Sequence, residues 1–227
     1  MVVVTGPARW SGAAVAGRIE ATLLAPQATA DEVRALCADA AAREVRGVCV
    51  ASQYAAVARE AVAGTTLMVV TVAGFPTGAS LTAAKVAEIR AAADAGADEV
   101  DVVCAFGLVR SGDVAAARAD LAASTAAAQE SGVACKVILE TGWLSAAQVE
   151  AVCRWAVDAG ARWVKTSTGF GPRGASVEDV TRMRAAVGEA ARVKAAGGIR
   201  SLDQAVALLD AGADALGCSS PAAVLDT

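Results

Sequence analysis

Two lysines end apolar runs and are followed at once by small polar residues. Lys165 stands in WVKTSTGFGPRGAS, residues 163–176, and Lys194 stands in RVKAAGGIR, residues 192–200. Each run is typical of a buried β-strand that passes into a polar loop at its carboxyl end. Two amines at one pocket have a chemical use, because the charge of one ammonium group lowers the pKa of its neighbour and leaves a neutral amine free to attack a carbonyl. The pair therefore predicts an enzyme that works through a lysine Schiff base.

Three further charged residues interrupt apolar segments. Asp101 lies within EVDVVCA, where a charge is costly unless it is paired. In CKVILET the two-residue alternation of a strand places Lys136, Ile138 and Glu140 on one face. If these faces point inward, the strand ends present all of these charged groups to one cavity, at the rim where barrel enzymes carry their chemistry. The alternative interpretation is a set of structural ion pairs in the upper layer of the barrel.

Two lysines and an aspartate, without a metal or cofactor, suit imine catalysis. A neutral lysine adds to an aldehyde and loses water, and the protonated imine then draws electrons from the adjacent carbon, so an aldol or retro-aldol step follows. We expect Lys165 to be the nucleophile, Lys194 the neighbouring cation that favours the neutral amine, and Asp101 a proton shuttle acting through a water. Lys136 and Glu140 are expected to support this network.

Glycine-containing turns follow the predicted last three strands. AAGGIRS and GCSS come after the seventh and eighth strands, where barrels often bind phosphate with backbone N–H groups, and TGFG after Lys165 offers further donors. A phosphorylated sugar is the implied substrate. We assign substrate and phosphate binding to Thr166, Gly169, Gly171, Gly197, Gly198, Ser219 and Ser220.

The composition removes several other kinds of site. The chain of 227 residues has no histidine, which removes the usual general base, the Ser-His-Asp triad and most zinc sites. Its six cysteines form no C-x-x-C pair and are interpreted as small buried hydrophobic residues in a reducing compartment. Whether Cys49 lies near enough to the pocket to react with aldehydes is left open, with burial favoured. The cysteines are Cys37, Cys49, Cys104, Cys135, Cys153 and Cys218.

The amino-acid composition and net charge are typical of a globular chain. Hydrophobic residues make up 56%, charged residues 19%, and the net charge is -4, so no nucleic-acid partner is indicated. No segment runs long enough without charge to cross a bilayer, and MVVVTGPARWSG lacks the basic region of a signal peptide. We therefore expect a cytoplasmic protein without a membrane partner.

Apolar runs alternate along the chain with amphipathic, alanine-rich stretches such as TAAKVAEIRAAADAG. The predicted strands are Gly17–Thr22, Val45–Ala51, Thr66–Ala73, Glu99–Ala105, Ala134–Thr141, Ala161–Thr168, Ala191–Ala196 and Asp214–Ser219. Predicted helix N-caps are Thr29, Ser80, Ser145, Ser176 and Ser201. The phrase DAGA, at Asp94, Asp158 and Asp210, closes helices with a glycine suited to a left-handed C-cap.

Eight β-then-α units predict the α/β class and a single (β/α)8 barrel over residues 1–227. An open doubly wound sheet is the alternative, but G-x-G-x-x-G and P-loop motifs are missing. Only residues 221–227 follow the last strand, so the final helix is predicted to be very short or absent. Residues before Ile19 are expected to supply an extra helix that plugs the other end of the barrel.

Several blocks of the sequence, in this order, resemble the deoxyribose-phosphate aldolase family. They span nearly the whole chain, and VKTSTGF together with VKAAGGIR is highly specific for that family. The blocks are TVAGFPTGAS (71–80), DEVDVV (98–103), SGD (111–113), CKVILETGWL (135–144), VKTSTGF (164–170), VKAAGGIR (193–200) and AGADALGCSS (211–220).

The resemblance implies a class I lyase on a (β/α)8 barrel. Such enzymes cleave 2-deoxy-D-ribose 5-phosphate reversibly to D-glyceraldehyde 3-phosphate and acetaldehyde, in deoxyribonucleotide catabolism. By resemblance, Lys165 matches the Schiff-base lysine of the family, Lys194 its pKa-perturbing lysine and Asp101 its proton-relay aspartate. The phosphate-binding turns match at Gly197, Gly198, Ser219 and Ser220. A homodimer is a further expectation without residue-level support.

Some positions depart from the family pattern near the ends of the early strands. Where many members read IDHTLL followed by Lys-Pro, this chain reads IEATLLAP, and it lacks the Asn-Pro after Cys49 and the Asn after DVV. We expect altered substrate fit with aldolase chemistry retained. The alternatives are a related class I aldolase acting on another phosphosugar, and a non-catalytic barrel that binds a phosphosugar. The departures are Glu20, Ala21, Ala25, Ala51, Ser52 and Ala105.

Overall fold

The computed structural model describes residues 10–226, whose eight strands form the predicted closed barrel. All neighbouring strands are parallel, and their order around the barrel is their order in the sequence. The (β/α)8 fold class is therefore confirmed. The strands are β1 (Ile19–Leu23), β2 (Gly47–Val50), β3 (Met68–Ala73), β4 (Glu99–Val103), β5 (Ala134–Ile138), β6 (Trp163–Lys165), β7 (Arg192–Ala196) and β8 (Ala215–Cys218).

Strand register brings the charged residues of the apolar runs into adjacent positions. Asp101 on β4 lies opposite Lys136 on β5, and Lys165 on β6 lies opposite Lys194 on β7. The strands are short, at three to six residues, and almost wholly buried because helices cover their outer faces. Inward-pointing residues of neighbouring strands therefore meet inside the barrel.

Helices follow each strand and form the outer ring. Their buried residues recur three and four positions apart, as at Val33, Cys37 and Ala40, so each helix lays one apolar stripe on the barrel. Ten α-helices lie within residues 10–226. They are α1 (Gly12–Ala16), α2 (Ala30–Ala42), α3 (Ala55–Ala61), α4 (Thr82–Asp94), α5 (Phe106–Ser111), α6 (Val114–Glu130), α7 (Ala146–Asp158), α8 (Val177–Val187), α9 (Leu202–Asp210) and α10 (Pro221–Leu225).

Four of the five predicted N-caps are confirmed. The side chains of Thr29 and Ser145 form reciprocal capping boxes, and those of Ser176 and Ser201 accept from the backbone N–H three residues on. The prediction for Ser80 is wrong, because α4 begins two residues later and the side chain of Ser80 caps nothing.

The glycine of each DAGA phrase has the predicted left-handed conformation. Gly96, Gly160 and Gly212 have φ values of +92°, +86° and +109° at the ends of α4, α7 and α9. A residue with a side chain would be strained there. The three glycines thus end the helices and turn the chain into β4, β6 and β8.

Both predictions about the termini can be compared with the described residues. The final helix α10 has five residues, as predicted. A helix before Ile19 also exists, but α1 packs against α10, and the amino-terminal end of the barrel holds an open cavity of about 500 Å³ bordered by Arg46, Glu99 and Trp163. Charged and aromatic side chains border that cavity, and because residues 1–9 lie outside the described part of the chain, the plug stays a prediction.

Two further expectations concern the limits of the domain and membrane-spanning helices. Residues 1–9 and 227 lie outside the described part, so the limits of a single domain at residues 1 and 227 stay a prediction. Over residues 10–226, no helix combines the length and the apolar character needed to cross a bilayer.

Candidate active site

Lys165 lies at the carboxyl end of β6 with its amine inside the barrel. The Nζ atom is 2.7 Å from Oδ2 of Asp101 on β4. The same Asp101 oxygen accepts from Nζ of Lys194 on β7, also at 2.7 Å. Oδ2 of Asp101 therefore accepts hydrogen bonds from both lysines.

Lys194 has a second carboxylate partner on the opposite side of its amine. Its Nζ donates to Glu20 on β1, which lies beside β8 in the barrel. Both partners of this ion pair are inaccessible to solvent. Lys194 is thus held between two buried carboxylates, whereas Lys165 has only Asp101.

The charged groups continue toward the amino-terminal end of the barrel. Nζ of Lys136 donates to Glu99 and lies 3.1 Å from Oδ1 of Asp101 and 3.5 Å from Oε1 of Glu20. Arg46 bonds Glu20 and forms a two-point contact with Glu99 at 2.9 and 2.7 Å. The ring of Trp163 lies below, 5.0 Å from the Arg46 guanidinium carbon and 5.6 Å from Nζ of Lys136.

These contacts decide the charge states of the buried groups. Burial alone would raise the pKa of the Asp101 carboxyl, but the ammonium groups of Lys136, Lys165 and Lys194 hold that pKa well below its ordinary value. The pKa of Glu20 is lowered in the same way, since Lys136 and Lys194 outweigh the effect of burial.

The pKa of the Lys194 amine is shifted in the opposite direction. Burial alone would lower the pKa of its amine, but Asp101 and Glu20 raise that pKa well above its ordinary value. Lys194 is therefore a fixed positive charge beside Lys165 at neutral pH.

A cavity of about 540 Å³ opens above Lys165 at the carboxyl ends of β1, β6, β7 and β8. Its lining combines apolar side chains with glycine backbone and a few polar groups. The chain has four lysines, Lys85, Lys136, Lys165 and Lys194, and Lys165 alone borders this cavity. The lining is Thr22, Leu23, Leu24, Ala25, Pro26, Gln27, Lys165, Thr168, Gly169, Phe170, Ala196, Gly197, Gly198, Ile199, Arg200, Gly217 and Ser219.

Comparison with known proteins gives this arrangement a family. Residues 17–223 match the family described as DeoC/LacD family aldolase. The chain belongs to this aldolase family. A relative from Nocardia farcinica named deoxyribose-phosphate aldolase is 47% identical over 215 residues, which are 94% of this chain and 94% of that protein.

Solved structures agree with the assignment to the aldolase family. A putative deoxyribose-phosphate aldolase from Coccidioides immitis has a TM-score of 0.92 and 36% identity over 97% of this chain and 87% of its own. Deoxyribose phosphate aldolase from Aeropyrum pernix, described as tetrameric, has a TM-score of 0.88 and 32% identity over 95% of this chain and 91% of its own. The sequence-based resemblance and the class I aldolase assignment are confirmed.

In this aldolase the predicted residues Lys165, Lys194, Asp101 and Lys136 come together through strand register. The structure brings them into one set of contacts, and the roles of nucleophile, neighbouring cation, proton shuttle and support stay predictions. The contact between Lys165 and Asp101 is direct, and the water through which Asp101 is expected to shuttle protons stays a prediction.

Glu140 does not join the lysines. β5 ends at Ile138, and Glu140 has φ +58°, which breaks the alternation that placed it on the face of Lys136. Its Oε2 accepts from the backbone N and the hydroxyl of Thr168. A Cβ at Gly171 would lie 2.6 Å from Oε1 of Glu140. Glu140 therefore holds the loop that follows β6, and its predicted support of the lysines is wrong.

The predicted substrate-binding residues divide into two groups. Gly169, Gly197, Gly198 and Ser219 border the cavity. Gly197 and Gly198 have φ values of +89° and +79°, a conformation that turns the chain sharply after β7. These four residues remain candidates for binding the substrate.

Three other predicted substrate-binding residues do not border the cavity. Thr166 is fully buried, and its hydroxyl donates to the Ala196 carbonyl and accepts from the Ala196 N–H, so it ties β6 to β7. Gly171 packs on Glu140. Ser220 lies at the start of α10, beyond the lining. Direct contact with substrate by these three is not supported, because their positions are taken by packing or lie outside the cavity.

Most departures from the family pattern lie away from the cavity. Ala21 alternates with Glu20 along β1, faces outward and is buried in the core between barrel and helices. Ala51 precedes a 3₁₀ turn, and Ala105 precedes α5 beside a separate cavity. Ala25 does border the main cavity, so among these four alanines it is the one placed to alter substrate fit directly.

Cys49 is buried inside the barrel, as favoured from the sequence. Burial raises the pKa of its thiol above the ordinary value, so the thiol is neutral at physiological pH. All six cysteines are free and buried. Within residues 10–226 no group of histidine, cysteine, aspartate and glutamate side chains is arranged to hold a metal ion. The expectation of a reaction without metal or cofactor stays a prediction.

Sequence analysis missed Arg46 and Glu99 and treated Glu20 only as a departure. A signal for each carboxylate was present, because Glu99 lies two residues before Asp101 on the same strand face and Glu20 interrupts the apolar run RIEATLL as Asp101 interrupts its own. Glu88 was also missed. Its carboxylate accepts from Ser52 and from the backbone N of Gly74, and so joins the loops after β2 and β3.

Proposed function

We propose that this chain cleaves 2-deoxy-D-ribose 5-phosphate to D-glyceraldehyde 3-phosphate and acetaldehyde through an imine on Lys165. The observation that carries the proposal is the placement of Lys165. Its amine borders the cavity, contacts a single carboxylate and lies beside a lysine held permanently charged. Family membership and the deoxyribose-phosphate aldolase names of the relatives support the substrate.

The reaction begins with the neutral amine of Lys165. Its lone pair attacks the aldehyde carbon, C1, of the open-chain sugar, and the carbonyl oxygen takes a proton to form a carbinolamine. Loss of that hydroxyl as water gives the protonated imine. The positive nitrogen then attracts electrons from the bond between C2 and C3.

Bond cleavage follows when the C3 hydroxyl loses its proton. Asp101 is ionised by the surrounding lysines, and it is assigned to take up this proton through a water, because Asp101 itself does not border the cavity. The C3 oxygen forms the carbonyl of D-glyceraldehyde 3-phosphate, and the electron pair of the C2–C3 bond enters an enamine. Protonation of C2 and hydrolysis of the resulting imine release acetaldehyde and restore Lys165.

The phosphate is assigned to the backbone after β7 and β8. Gly197, Gly198 and Ser219 border the cavity there, and Arg200 adds a guanidinium group to the same lining. Backbone N–H groups in such turns form anion-binding concavities. Phosphate held at this side leaves the aldehyde end of a five-carbon sugar to reach Lys165.

A coupled assay for glyceraldehyde 3-phosphate tests the proposal. The wild type is expected to release this product from 2-deoxyribose 5-phosphate, and Lys165→Arg to lose roughly a thousand-fold or more in kcat, since arginine stays protonated and forms no imine. Arg90→Lys, an exposed exchange that adds a lysine away from the barrel, serves as the control and is expected to match the wild type. Equal rates in wild type and Lys165→Arg would refute the imine mechanism.

One observation favours the alternative of a related aldolase with another phosphosugar. Ala25 borders the cavity where many family members carry lysine, so one cation is missing from the substrate rim. Comparison of kcat/KM for 2-deoxyribose 5-phosphate with a panel of phosphorylated and unphosphorylated aldehydes separates the two. A higher value for another phosphosugar would favour the alternative, and absence of turnover with all of them would favour a non-catalytic barrel.

Homodimerisation and a cytoplasmic location are also proposals. The relative from Aeropyrum pernix is described as tetrameric, which supports self-association in this family. Six free, buried cysteines are compatible with a reducing compartment. Light scattering on the purified chain measures its mass, and a mass of one chain would contradict the dimer. Fractionation of the source cells tests the location, and recovery of the chain outside the cytoplasm would contradict it.

A further inference from the structure

Seven charged side chains inside the barrel form one connected set of ion pairs, called here the barrel network. Its three carboxylates and four bases are linked by eight contacts, and within residues 10–226 no further ion pair joins them to other groups. Four bases and three acids leave one positive charge in excess when all are ionised. The members are Glu20, Glu99, Asp101, Arg46, Lys136, Lys165 and Lys194.

The four bases differ in the number of carboxylates that each contacts. Lys165 contacts one carboxylate, Asp101, which it shares with Lys194 and Lys136. Arg46 and Lys194 each contact two carboxylates, and Lys136 contacts three. Release of one proton by Lys165 leaves three positive and three negative charges. The network is therefore neutral when Lys165 is ready to attack an aldehyde.

Glu20 contacts three of the four bases in the barrel network. Its carboxylate contacts Arg46, Lys136 and Lys194, and its side chain is fully buried. Lys194 would otherwise depend on the Asp101 oxygen that Lys165 also uses. Glutamate is one methylene longer than the aspartate of many family members, which extends its carboxylate toward Arg46 near the amino-terminal end of the barrel.

The barrel network meets a cavity at each end, beside Arg46 and Glu99 and beside Lys165, and the thiols of Cys49 and Cys218 lie near Lys194. Trp163 lies against Arg46 and Lys136, and its ring is buried. Cys49 on β2 faces the lysines with a neutral thiol. Among buried charges with little water nearby, one added or removed charge changes proton affinity strongly.

We propose that Glu20, anchored by Arg46, is a positioning residue that keeps Lys194 charged and leaves the releasable proton on Lys165. The proposal rests on the imine function proposed above and adds a regulator of that same site. Glu20 contacts no part of the substrate cavity, so it acts through Lys194 and through the total charge of the network.

The pH dependence of kcat/KM for cleavage tests the proposal, because it reports the ionisations of the free enzyme. Loss of the Glu20 charge removes a carboxylate partner of Lys194 and leaves one more positive charge in excess in the barrel network, which favours release of a proton from the network. Glu20→Gln is therefore expected to move both limbs of the profile at least about one pH unit to the acid side. Glu20→Asp keeps the charge and is expected to leave both limbs within about half a unit of the wild type.

A charge-restoring pair distinguishes electrostatics from packing. Arg46→Gln alone removes a positive charge and is expected to move both limbs to higher pH. Combined with Glu20→Gln it restores one excess positive charge, and the limbs are expected to return toward those of the wild type. A residue needed only for packing would not be rescued by a second truncation beside it.

Asp214→Asn is the matched control. Asp214 accepts from the backbone N of Val193, next to Lys194, and pairs with Arg184 outside the network. This variant is expected to lose stability with both limbs unmoved. Borohydride trapping of acetaldehyde at each pH gives a second measure of neutral Lys165 that needs no turnover, and circular dichroism identifies variants that remain folded.

The outcomes separate the two proposals. Wild type that neither cleaves the substrate nor traps acetaldehyde refutes the proposed function. Wild type that does both, with Glu20→Gln lowering activity equally at every pH, overturns the inference about Glu20. If Glu20→Gln does not fold, unmoved limbs in Arg46→Gln overturn the inference equally.

Discussion

Lys165 differs from the other three lysines of the chain in its surroundings. All four lysines are buried and ion-paired, and every other basic side chain is arginine, of which there are sixteen by difference from the 20 basic residues. Lys85 is paired with Asp120 outside the barrel. Among the four lysines, Lys165 alone combines burial with access to the cavity, and this combination supports the proposal that its amine is the nucleophile.

Replacement of Lys194 by methionine removes the charge that, in the proposed mechanism, favours a neutral Lys165. With three bases and three acids left in the barrel network, Lys165 keeps its proton to higher pH. We expect kcat/KM to fall roughly a hundred-fold or more near pH 7 and to recover partly above about pH 9. The pH profile of 2-deoxyribose 5-phosphate cleavage measures both effects.

Stability must be measured beside this profile, because an unpaired carboxylate in a barrel costs a few kcal/mol. Asp214→Asn again provides a folded comparison that leaves the network intact. A loss in Lys194→Met that is equal at pH 7 and pH 9.5 would contradict a charge-based role of Lys194.

The catalytic candidates could be found from the sequence because strand alternation and apolar context reveal buried charges. Lys165, Lys194 and Asp101 each end or interrupt an apolar run, and parallel strands bring such positions together. Which charged residues form ion pairs with one another could not be predicted in this way. The contact between Glu20 and Lys194 depends on closure of the barrel, which makes the first strand a neighbour of the last. Glu140 was misplaced because a single left-handed residue reverses the direction of its side chain.

At the scale of elements, helix starts follow local hydrogen bonding where no tertiary contact competes. Ser145 accepts from the N–H of Gln148 and begins α7. α4 instead starts at Thr82, whose hydroxyl donates to Asp120 on α6, and Lys85 of the same helix pairs with that aspartate. The contact between helices sets the start of α4, and no local pattern around Ser80 contains that information.

A pair of serine substitutions tests this difference. Ser145→Ala is expected to lower the free energy of unfolding by about 1 kcal/mol, because an N–H of the first turn loses its acceptor. Ser80→Ala is expected to change it by less than about 0.5 kcal/mol, since the exposed Ser80 caps nothing. Urea unfolding followed by circular dichroism measures both. Equal losses in the two variants would contradict the observed start of α4.

At the scale of the whole molecule, the buried charges make stability depend on pH. The pKa values of Asp101 and Glu20 are lowered in the fold, so their stabilisation is present above the unfolded values near pH 4 and is lost as pH falls further. The pKa values of Lys136 and Lys194 are raised, so their stabilisation is present below about pH 10 and is lost as pH rises beyond it.

We therefore expect the Tm to be highest between about pH 5 and pH 9 and to fall on both sides. Differential scanning calorimetry from pH 2 to pH 11 measures this dependence. In Glu20→Gln the decline between pH 5 and pH 3 is expected to become shallower, because one linked proton is removed. A Tm that is independent of pH in the wild type would contradict the ion pairing of the barrel network.

The barrel itself was predictable because eight strand and helix patterns alternate and three of the helices, α4, α7 and α9, end at the glycine of a DAGA phrase. Predicted strands overlap all eight observed ones. Strand ends were less predictable, and β6 is five residues shorter than the predicted strand Ala161–Thr168. Three of these residues follow Lys165, where the chain turns to place Thr168 against Glu140. The contact between Arg46 and Trp163 at the amino-terminal end was also missed, because the residue before β2 and the first residue of β6 are far apart in the sequence.

The most direct measurement is borohydride reduction of the protein with 2-deoxyribose 5-phosphate or acetaldehyde, followed by peptide mass spectrometry. The chain has only four lysines, so each modified peptide identifies one amine. We expect the reduced adduct on the peptide that contains Lys165, with no adduct in Lys165→Arg. An adduct confined to another lysine, or undiminished labelling of Lys165→Arg, would contradict the Schiff-base mechanism.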